Sequence, residues 1–250
     1  MDRKKVLLIV RDGWGIAKPD KYNAVANART PVMDRLLKTY PNAVLEPAGE
    51  FVGLPKGYQG SSEVGHLNMG AGRIVIQELK RIMNMIMDGS FFTAPALKNA
   101  IDNAVLNEST LHLMGLVQDE GVHAHQDHLY AIIRHARAAG VKSLRIHFFA
   151  DGRDTPPRSA LSFLKMLEGV IKDVPAAKVA TIMGRYYAMD RGEKWALNDQ
   201  AYNAITKGEG AKAASAEAAI NGAYAGLKNP NGQPLVDEYI SPTVIGNYKG

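Results

Sequence analysis

Leu144-Arg145-Ile146-His147-Phe148-Phe149, followed through Ala150 by Asp151-Gly152-Arg153-Asp154-Thr155-Pro156-Pro157, carries the reading of the fold. The first six residues read as a strand and the next seven as a tight polar loop. Ser159 to Val174 then has the apolar spacing of a helix. The same unit recurs on both sides. Leu111 to Val117 reads as a strand and His125 to Ala139 as a helix closed by Gly140. Lys178 to Met183 reads as a strand and Asp190 to Thr206 as a helix. Strands alternating with helices of this length predict βαβ units, hence an α/β fold.

Upstream, Val6-Leu7-Leu8-Ile9-Val10 is apolar without alternation. Lys5 to Arg11 therefore reads as a strand buried on both faces of a parallel sheet. Asp12-Gly13-Trp14-Gly15 follows as a loop. Thr30-Pro31 opens a short helix, with Val32, Met33, Leu36, Leu37 and Tyr40 as its apolar stripe. Residues 41–60 read as turns and short strands. A helix begins near Ser62, and Gly70-Ala71-Gly72 interrupts or ends it. Ile76 to Met87 and Pro95 to Leu106 are helical, the methionines of the first serving as packing residues. The alanine-rich segment Gly208–Gly226 predicts a small helix. Asn229-Pro230-Asn231-Gly232 reads as a turn and Pro242-Thr243-Val244-Ile245 as a short extended piece. A domain boundary falls near residues 72–80.

At 250 residues the chain suits one large domain or two small ones. It has no cysteine, which excludes disulfides, thiolate metal sites and cysteine nucleophiles. The apolar run at residues 6–10 is too short for a signal peptide or a membrane span, so a cytoplasmic protein is the default. The net charge is +5. The positive residues form no stripe interleaved with aromatics, so neither nucleic acid nor a membrane is the expected partner. A small phosphorylated substrate accounts for the charge equally well.

Ligands of open α/β sheets bind beyond the C-terminal ends of the strands, and each strand here runs into a polar loop. The first delivers Asp12, a hard oxygen donor that could share a divalent cation with Ser62, or could simply cap its turn. Ser62, in Gly60-Ser61-Ser62-Glu63-Val64-Gly65-His66, stands at a helix start where free backbone N–H groups favour an oxyanion. That suits a serine nucleophile, and equally an ordinary N-cap. The second loop delivers His123, fit to transfer a proton or to bind phosphate when charged. His123 and His125 alternate like zinc ligands but lack a third; His125 or His128 could cap or pack the next helix. The third loop delivers Arg153, a fork for phosphate or carboxylate, and Asp154, an acceptor of hydroxyl protons. These two could instead pair with each other. The fourth delivers Arg185 and Arg191, which a loop-to-helix turn could point inward.

Together these motifs closely resemble the cofactor-independent (2,3-bisphosphoglycerate-independent) phosphoglycerate mutase family. The match runs in the family's order through Asp12-Gly13-Trp14-Gly15, Ser62-Glu63-Val64-Gly65-His66, the His123 loop, Gly152-Arg153-Asp154-Thr155, and Arg185 to Arg191 with Trp195. The resemblance implies part of an alkaline-phosphatase-like domain at residues 1–75, followed at 76–250 by most of an inserted α/β transferase domain. It implies interconversion of 3-phosphoglycerate and 2-phosphoglycerate with two manganese or magnesium ions and no 2,3-bisphosphoglycerate. Ser62 would become phosphoserine, and Asp12 with Ser62 would bind metal. His123, Arg153, Asp154, Arg185 and Arg191 would bind the substrate, with Asp154 handling the glycerate hydroxyl proton.

Two departures stand out. Ser61 precedes the nucleophile where the family usually has asparagine. The chain also stops at Gly250, short of the family's later arginines, lysine and Asp/His metal ligands. The expectation is an N-terminal portion that is inactive alone, its C-terminal half lying in the same gene or in a separate chain. The alternative is a non-catalytic phosphoglycerate-binding or assembly subunit. A related phosphatase or phosphopentomutase fits the Arg153–Asp154 and Arg185–Arg191 loops less well.

Overall fold

A computed structural model describes residues 5–226, 232 and 236–250. The chain divides into two compact units, residues 1–77 and 78–250.

Among its described residues the first unit carries three α-helices, α1 (Ala24–Asn27), α2 (Pro31–Thr39) and α3 (Ser62–Ala71). Pro31 opens α2, where its missing N–H costs nothing. Thr30 caps no backbone amide; its hydroxyl bonds Asp34 Oδ1 at 3.0 Å. α3 ends at Gly72, whose φ of +62° suits a residue without Cβ. Two expectations fail here. Lys5–Arg11 forms no strand, and Val6 to Ile9 are 73–90% exposed. A strand exists only with a ladder partner, and among the described residues no other strand lies in this unit. For the same reason residues 41–60 hold a 3₁₀ turn at Gly49–Val52 and no strand.

The second unit is the predicted βαβ body. β1 (Thr110–Leu116), β2 (Ser143–Ala150) and β3 (Ala177–Gly184) pair in parallel. β4 (Ala211–Ala213) and β5 (Thr243–Ile245) extend the sheet to the order β1-β2-β3-β5-β4, with β5 antiparallel to β3. The helices are α4 (Glu78–Asp88), α5 (Pro95–Leu106), α6 (Gln126–Ala138), α7 (Ala160–Ile171), α8 (Arg185–Ala188), α9 (Trp195–Lys207) and α10 (Ala216–Gly226).

Alternation along β2 sorts the core into two layers. Leu144, Ile146 and Phe148 join Ile101 of α5, Ile133 of α6, Leu164 and Leu167 of α7 and Ile220 of α10. Phe149 lies on the other side, with Leu116, Met183, Val244 and α9's Ala201 and Ala204. Each fully buried Leu, Ile or Phe contributes about 1.5–3 kcal/mol. The larger cluster thus anchors the three parallel strands, whose C-terminal ends share one edge.

The expected helix at Asp190–Thr206 is interrupted. Asp190 Oδ2 accepts from the Lys194 amide at 2.8 Å, and Glu193 adopts φ +56°. Both features close a turn, so α9 starts only at Trp195. The expected turn at Asn229–Gly232 lies, apart from Gly232, outside the described residues. Among the described residues no helix is long and apolar enough to cross a membrane.

Candidate functional site

In the first unit, Ser62 is the first residue of α3, and its cap is the neighbour. Ser61 Oγ accepts from the Val64 amide at 3.3 Å. The reading of Ser62 as an N-cap is therefore wrong, because Ser61 already meets that amide. Ser62 Oγ instead donates to Asp12 Oδ2 at 2.6 Å, fifty residues away. His66 Nδ1 lies 3.2 Å from the same hydroxyl and 2.8 Å from the Ser62 carbonyl, one helical turn back. A hydroxyl oriented by a carboxylate at a helix N-terminus has the elements of a nucleophile, since the free amides favour the negative charge an arriving phosphoryl group brings.

Asp12 and Ser62 offer the hard oxygens that manganese or magnesium prefers. Among the described residues no three His, Cys, Asp or Glu side chains gather to hold an ion. Two oxygens fall short of the roughly six such an ion takes, so these residues do not make a metal site by themselves.

The second unit brings His123, Arg153, Arg185 and Arg191 around one cavity of about 300 Å³. It lies beyond the C-terminal ends of β1, β2 and β3. Arg185 stands immediately after β3 and is nearly buried. Its Nη1 donates to Asp151 Oδ1 at 2.8 Å and to Asp154 Oδ2 at 2.6 Å. Burial opposes the guanidinium charge, but the hydrogen bonds and charges of Asp154 and Asp151 outweigh it and hold the Arg185 pKa above its ordinary value.

Asp151 organises the loop after β2. Its Oδ1 also accepts from the Arg153 and Asp154 amides, each at 3.0 Å. This fold of the loop turns Arg153 and Asp154 apart, so they do not pair with each other. Asp154 Oδ2 lies 3.6 Å from His123 Nε2, and Arg153 Nη1 lies 3.6 Å from Glu238 Oε1. Arg191 reaches the cavity as an exposed side chain. A hydroxyl-bearing anion could meet two exposed guanidinium forks and the His123 imidazole here; Asp154 approaches His123 but does not itself line the cavity.

His125 does not line this cavity. It is the N-cap of α6, its Nδ1 accepting from the Asp127 amide at 3.2 Å. His128 packs beside it with ring centroids 5.9 Å apart, and burial lowers its pKa. Two lining residues, Glu238 and Tyr239, were missed from the sequence. They lie on a 3₁₀ turn, Asp237–Tyr239, in a stretch whose acidic pair has no motif spacing to mark it.

Comparison with known proteins follows the same outline. Residues 82–250 match the family described as BPG-independent PGAM N-terminus. The 2,3-bisphosphoglycerate-independent phosphoglycerate mutase of Clostridioides difficile is 49% identical over 245 residues, covering 98% of this chain and 46% of the relative. Phosphoglycerate mutase 1 of the same description from Methanosarcina barkeri is 48% identical over 249 residues, covering 99% of this chain and 47% of the relative. A crystal structure of Leishmania mexicana phosphoglycerate mutase at low cobalt concentration superposes with a TM-score of 0.77 at 33% identity, covering 90% of this chain and 42% of that one. The chain spans about half the length of the curated relatives it matches.

Proposed function

The chain belongs to the 2,3-bisphosphoglycerate-independent phosphoglycerate mutase family, and from that premise we propose that it is the N-terminal portion of an enzyme interconverting 3-phosphoglycerate and 2-phosphoglycerate through phosphoserine at Ser62. The observation that carries the reading is the Ser62–Asp12 hydrogen bond at the start of α3. The relatives carry the mutase's name, and the alternative of a non-catalytic subunit gains no support from them.

In this reading His123, Arg153, Arg185 and Arg191 hold the phosphoglycerate through its phosphate and carboxylate. Ser62 Oγ attacks phosphorus, the bond from phosphorus to the C3 oxygen breaks, and the Ser62 proton ends on that oxygen. The glycerate stays bound and reorients. Its C2 hydroxyl then attacks phosphorus, the bond from phosphorus to Ser62 Oγ breaks, and the C2 proton, accepted by Asp154, is the one that restores the Ser62 hydroxyl. Divalent ions, when bound, would neutralise charge on the transferred group, with Asp12 and Ser62 among their ligands and the rest from outside this chain. Ser61 stands where the family usually has asparagine and retains a capping role.

The test is mass spectrometry of the complete enzyme quenched during turnover. A phosphoryl adduct on Ser62 is expected. Turnover without that adduct overturns the reading. The 250-residue chain alone, given manganese and 3-phosphoglycerate, is expected to form no 2-phosphoglycerate. Product from that chain would show that it needs no further residues.

A further inference from the structure

The segment Val236–Ile240 threads between the loops that present the cavity's charges, and it comes from far along the chain. Its backbone joins both loops. The Asp237 amide donates to the Pro157 carbonyl at 2.9 Å, and the Gly184 amide donates to the Ile240 carbonyl at 2.7 Å. The approach is close enough to need glycine on each side. A Cβ on Gly152, whose φ is +68°, would stand 2.7 Å from Asp237 Cβ; one on Gly184 would stand 2.1 Å from the Glu238 carbonyl oxygen.

The anchor is the Asp237 carboxylate, which is fully buried. Ser159 is the N-cap residue of α7 but makes no capping bond of its own. Asp237 Oδ2 supplies that cap, accepting from the Ser159 and Ala160 amides at 2.7 and 2.8 Å. Oδ1 accepts from the Tyr224 hydroxyl of α10. A buried carboxylate is stable only with such a full set of donors. The next residue, Glu238, then faces Arg153, and Gly184 fixes the start of Arg185.

We propose that Asp237 is a positioning residue for the anion cavity, holding the 236–240 strap so that Glu238 orients Arg153 and the backbone at Gly152 and Gly184 sets Asp151, Asp154 and Arg185. It touches no ligand and acts through those two loops. The inference rests on the phosphoglycerate reading for the identity of the ligand, but not for the geometry.

The experiment is calorimetric titration of the 250-residue chain with 3-phosphoglycerate, with amide and arginine Nε–H resonances recorded in parallel. Asp237→Asn is expected to weaken binding about tenfold, as for loss of a charged hydrogen-bond anchor, and to shift the Gly152, Gly184 and Arg185 signals. Tyr224→Phe, which spares the amide caps, is expected to move the same signals in the same direction and reads the strap if Asp237→Asn does not fold. Leu167→Ala, in the core of α7, costs stability without touching the strap and is expected to leave both readouts unchanged. Affinity within twofold of wild type with those resonances in place overturns the proposal. Absence of binding by the wild-type chain counts against the phosphoglycerate reading alone, and the resonances then decide the strap's role.

Discussion

Arg185 is shared between two carboxylates, and one of them, Asp151, is 1% exposed at its side chain with an Oδ2 that meets no hydrogen-bond partner. Removing the guanidinium leaves that buried charge uncompensated. Arg185→Met is therefore expected to cost about 3 kcal/mol, although methionine fills much of the volume. Urea unfolding of the two proteins measures it. The contact from Arg185 to Asp151 and Asp154 is also the one least visible in the sequence. The polar loops marked Arg185 and Asp154 as candidates, but two residues thirty-one positions apart become partners only when β2 and β3 lie side by side. Ser62 was legible in the same partial way. A helix start was plain, yet which of two adjacent serines caps it depended on backbone geometry that composition does not specify.

Among the elements, β1 to β3 and the helices between them were read from apolar periodicity, because alternate residues face alternate sides of the sheet. The periodicity did not reveal what one polar residue does inside that sheet. His147 of β2 is fully buried, with Nε2 2.9 Å from His112 Nδ1 on β1 and Nδ1 2.9 Å from Thr181 Oγ1 on β3. Burial first, and the nearby His112 second, push its pKa from 6.5 down to about 4. The unfolded chain therefore takes up a proton that the folded one refuses. Stability from this residue is intact above pH 6.5 and is lost as pH falls toward 4. Between pH 7 and 5 the loss is about 2 kcal/mol. Denaturant midpoints at the two pH values check it, and His147→Gln is expected to flatten the difference. The interruption before α9 was missed for a related reason: a helical pattern continues through Gly192 and Glu193, but the side chain of Asp190 closes a turn there.

For the whole molecule, burial is concentrated in the second unit. In the first, the buried apolar side chains among the described residues are Val52 and Leu54, and the residues from Val6 to Ile9 stand in solvent. Hydrogen exchange on the 250-residue chain is expected to be fast at residues 6–10 and slow along β2. Protection at residues 6–10 equal to that of β2 would contradict the described structure. The sequence by itself determined the α/β class, the parallel strands of the second unit and the residue types waiting at their C-terminal ends. Each of those follows from side-chain periodicity and local turn chemistry, which act over a few residues. Only the tertiary structure decided that Val6–Val10 lacks a strand partner, that Ser62 meets Asp12, and that Asp237 and Glu238 return to brace the cavity. Those outcomes join residues fifty or more positions apart, or depend on a pairing partner, and the free energy of such a contact exists only once the chain has closed around it.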